Sequence, residues 1–557
     1  MSDPPPRDGS SAAPDPTVTA PLAGRAVVLA RNALAGGGRH ALAAVAALLV
    51  VPFTIRHLGE ARFGVWAIVG AVLAALRLLD LGLDRSLTRV VARAFGAGDP
   101  SAAAEEVAVS RALLMASAAL ATLVVWLLHR PLVALLFAVP PDLRAEASWA
   151  IGLTALVAWV ELAWLPWRAA LDGLGRMDQS HAVETGQRLL SALGVVLVLW
   201  AGGGLRALAL KNLATALLAG WVLRRLLAKQ APALVASRPR FDRAKAVALL
   251  RHGRWVQAGH VASLLVEPAH KALLAHGPGL AAVAAYELGM RLASQLAGVL
   301  IALGQAIYPA AAEAAVLERQ GAGGPTAGGG DSAPEPYRDA LYPLATRYLA
   351  WLAWPTAAIS VALAADFAAT WLAGTSEPAL LVQAGRGMAV LAAGAMTTVL
   401  AMPAFLMLQA ADDRGARDGL IAVAAHVTLS VAGAALLVAP FGFDGVLAAA
   451  ALGPVAGALA AWQRYGRRRG DGWVVLAPVL QPRVLLAAAL AGLLAATGGS
   501  WSSGWTGLLL GAAAGGLGYA LAMLVLRVIQ PADRAVALLL WRHLRAARRT
   551  RATGSAA

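Results

Sequence analysis

Long apolar runs alternate with short polar loops from about residue 31 to residue 527. Taking about 17 to 25 residues as the length that crosses a bilayer, the pattern predicts about 14 transmembrane helices. These spans cover residues 33–56, 63–83, 107–128, 147–168, 183–201, 207–226, 247–271, 282–306, 343–366, 382–408, 419–439, 445–463, 483–500 and 505–527. The sequence therefore predicts an all-α polytopic membrane protein.

The positions of Lys and Arg predict the orientation of these spans. With the N-terminus inside, the inner segments hold roughly 34 of the 47 basic residues and the outer segments about seven, as the positive-inside rule requires. The outer set consists of Arg56, Arg62, Arg130, Arg144, Arg206, Lys211 and Lys271. An even number of spans with both termini in the cytoplasm is expected.

Composition agrees with this pattern, since hydrophobic residues make up 59% of the chain and charged residues only 14%. The net charge of +16 is spread over the loops between spans, so nucleic acid is not an expected partner. The chain contains no cysteine, which excludes disulfides, cysteine-ligated metals and thiol nucleophiles.

The spans and loops divide the chain into five predicted segments. Residues 277–312 lie at the seventh and eighth spans much as residues 59–93 lie at the first and second spans. This weak internal repeat favours two lobes of six helices each. The segments are a disordered tail (1–24), a first lobe (25–228), a second lobe (229–466) with a flexible loop (321–336), two additional helices (467–528) and a basic amphipathic cytoplasmic tail (529–557).

Charged residues inside the second span are the first candidates for a site, because charges in hydrocarbon are costly unless they face a partner or a watery cavity. Arg77, Asp80 and Asp84 lie at i, i+3 and i+7, which predicts one shared helical face. This face either neutralises itself through an Arg77–Asp80 pair or lines a cavity in which Arg85 and Arg89 bind phosphate groups.

Three later spans carry similar groups. Glu161, Trp164 and Arg168 form an i, i+3, i+7 stripe on the fourth span that is expected to line a pore, because a lipid-facing glutamate would be costly; Trp164 is either an interfacial belt residue or stacks on sugar rings. Glu287, Arg291 and Gln295 follow on the eighth span, where Glu287 and Arg291 are also spaced to neutralise each other. Glu267, His270 and Lys271 cluster on the seventh span at its predicted outer end.

Sequence motifs for catalysis are absent. The chain has no GxxxxGK[ST] phosphate-binding loop, no HExxH and no GxSxG. We therefore expect neither an enzyme nor a cofactor, and no direct use of ATP.

Several short motifs together resemble a known family. They are Arg31-Asn32, Pro52-Phe53 with Leu58-Gly59, Phe63-Gly64-Val65-Trp66, Asp80-Leu81-Gly82-Leu83, Leu87-Thr88-Arg89 and Tyr286. In their order and spacing they are similar to the Wzx-type polysaccharide flippases of the multidrug/oligosaccharidyl-lipid/polysaccharide (MOP) exporter superfamily. The resemblance is strongest over residues 25 to 110.

The resemblance implies two pseudo-symmetric six-helix lobes around a central cavity that opens alternately to each side of the bacterial inner membrane. It implies, as substrate, an undecaprenyl-diphosphate-linked oligosaccharide repeat unit of lipopolysaccharide O-antigen, capsule or exopolysaccharide. A monomer surrounded by membrane lipids is expected, with a polysaccharide polymerase and a chain-length regulator as partners. The expected substrate-binding residues are Arg31, Arg77, Arg85, Arg89, Arg168, Lys271 and Arg291, and those expected for the cavity or ion coupling are Asp80, Glu161 and Glu287.

Three alternatives stay open at this stage. A multidrug or cation antiporter of the same superfamily would use a carboxylate such as Asp80 or Glu161 for ion coupling. A lipid II flippase is less favoured because matching features are lacking. A membrane glycosyltransferase or polymerase would need a large outer loop, and every predicted outer loop is short.

Overall fold

A computed structural model of the chain describes residues 49–77, 80, 83–96, 99–243, 254–304, 337–374, 377–411, 413–529 and 533. Within these ranges the regular structure is helical and no β-strand occurs. The predicted tail 1–24, Arg31 and the loop 321–336 lie outside them, as do the side chains of Arg85 and Arg89.

The N-terminal half, residues 49–243, folds into eight helices. These are α1 (Leu49–Leu58), α2 (Glu60–Arg77), α3 (Leu83–Gly96), α4 (Pro100–Pro131), α5 (Pro141–Gly173), α6 (Met177–Trp200), α7 (Leu205–Gln230) and the short α8 (Pro232–Ala236). A single π-helical turn, Leu132–Leu136, continues α4. At the other end of α4, Asp99 caps the helix and Pro100 occupies its first turn, where a missing N–H is tolerated.

The C-terminal half begins at residue 254. Its helices are α9 (Arg254–Leu264), α10 (Val266–His276), α11 (Leu280–Gly304), α12 (Tyr337–Trp371), α13 (Pro378–Ala411), α14 and α15 (the two parts of Asp413–Arg469), α16 (Pro482–Gly499) and α17 (Gly504–Val525). Helices α14 and α15 meet at Gly442, whose φ of 56° is accessible to glycine without strain.

Every predicted span overlaps one or more of these helices, and the prediction of an all-α polytopic membrane fold is confirmed. Nine segments of the described chain are long and apolar enough to cross a membrane. Two predicted spans are interrupted. The span 63–83 contains a 3₁₀-helical residue, Asp80, between α2 and α3, and the span 247–271 contains a break at Leu265.

One end of the bundle gathers the turns that the sequence places outside the cytoplasm, and we call it the outer end. Glu146 joins three of them, since its carboxylate accepts hydrogen bonds from Arg62 Nε at 3.1 Å and from the backbone N–H of Leu205 at 3.0 Å. Glu60 Oε1 likewise accepts from the backbone N–H of Glu377 at 2.8 Å. The opposite end is called the inner end.

Buried apolar residues show how the two halves sit together. At the outer end one cluster combines both halves, with Phe63 and Ile68 from α2 packed in the same core as Leu280 and Val283 from α11. At the inner end the clusters are separate. One contains residues 87–234 of the N-terminal half only, and another contains residues 297–479 of the C-terminal half only. The halves therefore join at the outer end and part toward the inner end.

Candidate functional site

Helix α2 of the N-terminal half packs against α10 and α11 of the C-terminal half, and this contact forms the outer closure between the halves. Gly64 makes the approach possible. A Cβ atom at this position would lie 2.4 Å from the carbonyl oxygen of Leu280. Since contacts under about 3 Å force a shift of one partner, only glycine fits here without moving the helices apart.

Lys271 lies inside this closure. Its side chain is 1% exposed, and its ammonium donates to Glu287 Oε2 and Glu267 Oε1, both at 2.6 Å. The same ammonium donates to the backbone carbonyl of Ala67 on α2 at 3.1 Å. These three acceptors satisfy the three donors of a lysine, so the buried charge is compensated while it bridges the two halves.

Arg291 completes this cluster at its more open edge. Its Nε donates to Glu287 Oε1 at 2.6 Å, and its Cζ lies 5.9 Å from the ring centroid of Phe63. The side chain is 34% exposed, and no other hydrogen bond is found for it among the described residues. We call Lys271, Glu267, Glu287 and Arg291 the closure cluster.

A second ion pair lies nearer the inner end. Arg77, the last residue of α2, donates from Nε and Nη2 to the two carboxylate oxygens of Glu161 on α5, at 2.7 and 2.9 Å. Gln187 on α6 also donates to Glu161, at 3.3 Å. The carboxylate is nearly buried whereas the arginine side chain is 56% exposed, so the pair faces open space on its cationic side.

Arg168 and Asp84 form a third ion pair, between α5 and α3. Both side chains are about one quarter exposed. Asp84 Oδ1 and Arg168 Nε are buried atoms without a hydrogen-bond partner in the described structure. The pair therefore keeps unused hydrogen-bonding capacity on both partners.

The three groups are staggered along the bundle. Ten residues of α2 separate Ala67, which contacts Lys271, from Arg77, a distance of about 15 Å at the rise of an α-helix. Asp84 follows in α3, beyond the end of α2. Arginine–carboxylate pairs thus extend from the outer closure toward the inner end.

His270 has a structural setting. Its Nε2 lies 3.0 Å from the carbonyl oxygen of Ser430, which can only accept, and its Nδ1 lies 2.8 Å from the hydroxyl of Tyr286. A neutral ring with the proton on Nε2 satisfies both contacts. His270 and Tyr286 are fully buried and link α10, α11 and α14, so the histidine ring is part of the packing between these helices.

Most of the predicted site residues that the structure describes fall into these groups. Arg77 pairs with Glu161, and Arg291 pairs with Glu287 as their spacing suggested. Arg77 and Asp84 both pair with α5, through Glu161 and Arg168, while Asp80 between them is 3₁₀-helical and interrupts the continuous α-helix that the sequence predicts. Asp80 is half-buried between α2 and α3.

Two predicted outer-segment lysines lie deeper than expected. Lys271 sits within α10, which continues to His276, and Lys211 sits within α7 and donates to Ser191 Oγ at 2.7 Å. Sequence reasoning also missed Gln187 and the carbonyl of Ala67 as partners. A backbone acceptor leaves no signal in the sequence, and a glutamine in a span leaves a weak one. No cluster of three or more metal-ligating side chains occurs among the described residues.

Comparison with solved structures finds similar folds at low sequence identity. An inward-facing multidrug resistance MATE family transporter of the MOP superfamily aligns with a TM-score of 0.66 at 16% identity, covering 79% of this chain and 96% of that one. The lipid II flippase MurJ, in an inward closed conformation, aligns at 0.63 and 11% identity over 87% of this chain and 99% of that one. An outward-facing MATE family transporter aligns at 0.57 and 15% identity, covering 79% and 95%.

Comparison by sequence gives the family. No curated protein matches the chain. The family described as polysaccharide biosynthesis protein matches residues 29–315, which is more than half of the 557 residues. This match includes α1 to α11 and with them every residue of the three ion-pair groups. The chain belongs to the polysaccharide biosynthesis protein family, and its fold is similar to the folds of the MATE family transporters and MurJ.

Proposed function

We propose that this protein flips undecaprenyl-diphosphate-linked oligosaccharides across the bacterial inner membrane, with both termini in the cytoplasm. The observation that carries the proposal is a pair of partly exposed arginines, Arg77 in the N-terminal half and Arg291 in the C-terminal half. Arg77 and Arg291 are each held by a carboxylate on one side and are open on the other. Arginine presents forked donors that match the oxygens of a diphosphate.

The carboxylates make the empty site neutral. Glu161 balances Arg77, and Glu267 and Glu287 balance Lys271 and Arg291. A diphosphate that enters from the inner end meets guanidinium donors of Arg77 that Glu161 does not use, because only Nε and Nη2 contact the carboxylate. The head group then crosses through the space between the halves, while the polyprenyl chain stays in the lipid.

Transport in this scheme requires the outer closure to open. The contact of Lys271 with Ala67 and the packing of Gly64 on Leu280 must both separate when the halves rock. Direction must come from the membrane potential, an ion gradient or consumption of the product, because equal affinity for both states moves no equilibrium.

A multidrug or cation antiporter is the second candidate, and the buried carboxylates favour it specifically. Glu161 and Glu287 are nearly buried in the space between helices, where protonation or sodium binding would compete with Arg77 and Arg291. The MATE transporters and MurJ share this fold, so fold similarity alone does not separate a drug antiporter from a lipid II flippase or an oligosaccharide flippase.

The test is a flipping assay in proteoliposomes with fluorescent polyprenyl-diphosphate oligosaccharide, scored by access to a membrane-impermeant quencher. We expect transport by the wild type and a loss of at least tenfold in Arg77→Gln and Arg291→Gln. Arg188→Gln is the matched control, because Arg188 is an exposed arginine that pairs with Glu184 on its own helix.

Deletion in the cell gives the complementary result. We expect the lipid-linked oligosaccharide to accumulate on the cytoplasmic leaflet, with surface polysaccharide reduced. Unchanged surface glycan together with increased drug sensitivity contradicts the flippase and supports the antiporter.

A further inference from the structure

A second polar site lies at the outer end, away from the closure cluster. A cavity of about 630 Å³ opens between the outer ends of α4, α5 and α7, and we call it the Trp–Arg cavity. Its lining includes Trp126, Arg130, Arg144, Trp149 and Arg206. No lining residue belongs to α2, α10 or α11, so the cavity is separate from the space between the halves.

The charged side chains that line the Trp–Arg cavity are all positive. Its three arginines are exposed, and no carboxylate lines it. Glu146, adjacent in sequence to the lining residue Ala145, is already occupied by Arg62 and by the N–H of Leu205. Basic residues are few at the outer end, as the positive-inside rule leads one to expect. Three of the seven assigned there nevertheless meet at this cavity.

Two indole rings are held in place beside these arginines. Trp126 Nε1 donates to the carbonyl of Gly152 at 3.2 Å, which fixes the ring while 51% of the residue stays exposed. Trp149 is 54% exposed, and the guanidinium of Arg206 lies 5.9 Å from its ring centroid. The cavity thus presents aromatic faces and cationic donors together.

We propose that the Trp–Arg cavity binds the phosphorylated saccharide head group of a lipid at the outer face of the membrane. Guanidinium groups suit the phosphate, and the exposed indole faces suit the C–H face of a sugar ring. The volume lies within the usual range for small-molecule sites. Exposed Leu127 and Leu135 adjoin the cavity on the same helix and its π-helical turn, where a lipid chain would lie.

The proposal rests on the proposed function only for the origin of the glycolipid, which would be the flipped product. Retention at this site would hold the product for the glycosyl-transfer reaction that consumes it, with the lipid diphosphate as leaving group. The binding itself can be measured without any transport.

The experiment uses the full chain in nanodiscs of phosphatidylcholine. Because the chain has no cysteine, Asp142→Cys gives a single labelling site for an environment-sensitive dye at the outer start of α5, outside the lining. The probes are N-acetylglucosamine 1-phosphate, N-acetylglucosamine and inorganic phosphate. We expect a saturable dye response to the sugar phosphate, with at least tenfold weaker binding of the other two.

Variants in the same labelled background locate the site. Arg144→Gln and Arg206→Gln are expected to weaken sugar-phosphate binding roughly tenfold each, and Trp149→Leu is expected to weaken it by a similar factor. Arg56→Gln and Trp200→Leu are matched controls, because both residues are exposed near the outer end and neither lines the cavity. Unchanged binding in these two controls supports the assignment.

Three results overturn the proposal. The first is the lack of a saturable response to sugar phosphate. The second is equal binding of inorganic phosphate with no effect of Trp149→Leu, which describes a simple anion site. The third is displacement of the probe by phosphatidylglycerol in the nanodisc with no effect of Trp149→Leu, which describes an ordinary phospholipid site. Wild-type protein that flips substrate without a cavity response refutes this inference alone, and a cavity response without flipping refutes the proposed function alone.

Discussion

Two ion pairs of a basic residue with a glutamate involve α2, and they differ in how deeply they are buried. The Arg77–Glu161 pair stays within the N-terminal half and leaves its guanidinium largely exposed. The Lys271–Glu287 pair belongs to the C-terminal half, is almost completely buried and reaches across to the carbonyl of Ala67. Residue types alone would assign both to one substrate site.

The difference in burial separates their roles. An exposed arginine can exchange one acceptor for another, because water solvates the intermediate arrangement. A buried ammonium with three fixed acceptors cannot release them without a large desolvation cost. We therefore interpret Lys271 with Glu267 and Glu287 as the part of the closure cluster that holds the halves together, and Arg77 and Arg291 as the cations available to substrate.

Glu287→Gln should break the buried arrangement and give the largest effect. The change leaves Glu267 as the only carboxylate that contacts Lys271, and it removes the carboxylate that accepts the hydrogen bond from Arg291. Removing one partner of a buried ion pair costs about 3–5 kcal/mol. We expect a strongly lowered unfolding midpoint in detergent, followed by tryptophan fluorescence.

Glu184→Gln is the control for this change, since Glu184 forms an exposed pair with Arg188 within α6. Such pairs contribute about 0–1 kcal/mol. If the Glu287 and Glu184 variants unfold at the same temperature, the closure cluster does not hold the halves together.

Gly64→Ala tests the same closure through packing instead of charge. The added Cβ would meet the carbonyl oxygen of Leu280 at 2.4 Å, so α2 and α11 must separate. Overpacking of this kind costs about 1–3 kcal/mol. We expect part of the population to open at the outer end, measured as reduced cross-linking between Glu60→Cys and Glu377→Cys by a short bifunctional reagent.

Gly70→Ala is the matched control, because a Cβ at Gly70, in the same helix, would meet no atom within 4 Å. It should cross-link like the wild type and be no less stable, since alanine favours a helix over glycine. Equal loss of cross-linking in both variants would contradict the assignment of Gly64 to the closure.

Arg77→Lys tests the role of the exposed Arg77–Glu161 pair in phosphate recognition. Lysine keeps the charge but loses the two-point contact with Glu161, so phosphate recognition should weaken while the fold is retained. We expect flipping to fall roughly tenfold, which corresponds to about 1.4 kcal/mol, with an unfolding midpoint close to that of the wild type. Arg188→Lys is the control for the substitution itself, and a parallel loss of stability in Arg77→Lys would make Arg77 structural.

The sequence predicts the helices well because span length is set by the bilayer and the apolar runs are long. It also identifies Arg77, Glu161, Glu287 and Arg291 as unusual, since charges in spans stand out from their surroundings. The pairing of Glu287 with Arg291 follows from i, i+4 spacing on one helix.

Pairings between helices are where sequence reasoning fails. The spacing of Arg77 and Asp84 does not reveal their partners Glu161 and Arg168, each 84 residues away on α5. Lys271 appears as an outer residue only because the break at Leu265 and the continuation to His276 are not evident in the apolar pattern. Its acceptor on Ala67 is backbone, which any residue would supply.

Asp99 is a reference for the effect of removing a carboxylate, because it is exposed and contacts neither the Arg77–Glu161 pair nor the Lys271–Glu287 pair. Its side chain caps α4 by accepting from the N–H groups of Ser101 and Ala102, and the hydrogen bond from the Ser101 hydroxyl is the main cause that lowers the pKa of Asp99. A lowered pKa in the folded state stabilises the fold above the unfolded pKa of about 3.9, and this contribution is lost as pH falls through the folded pKa.

We expect Asp99→Ala to lower the unfolding midpoint only slightly at neutral pH, and the difference from wild type to vanish in acid. Asp99→Asn, which keeps an acceptor without the charge, should lack this pH dependence. A midpoint shift for Asp99→Ala as large as that for Glu287→Gln would show that a capping carboxylate matters as much as the buried cluster, and would remove burial as the basis of the comparison.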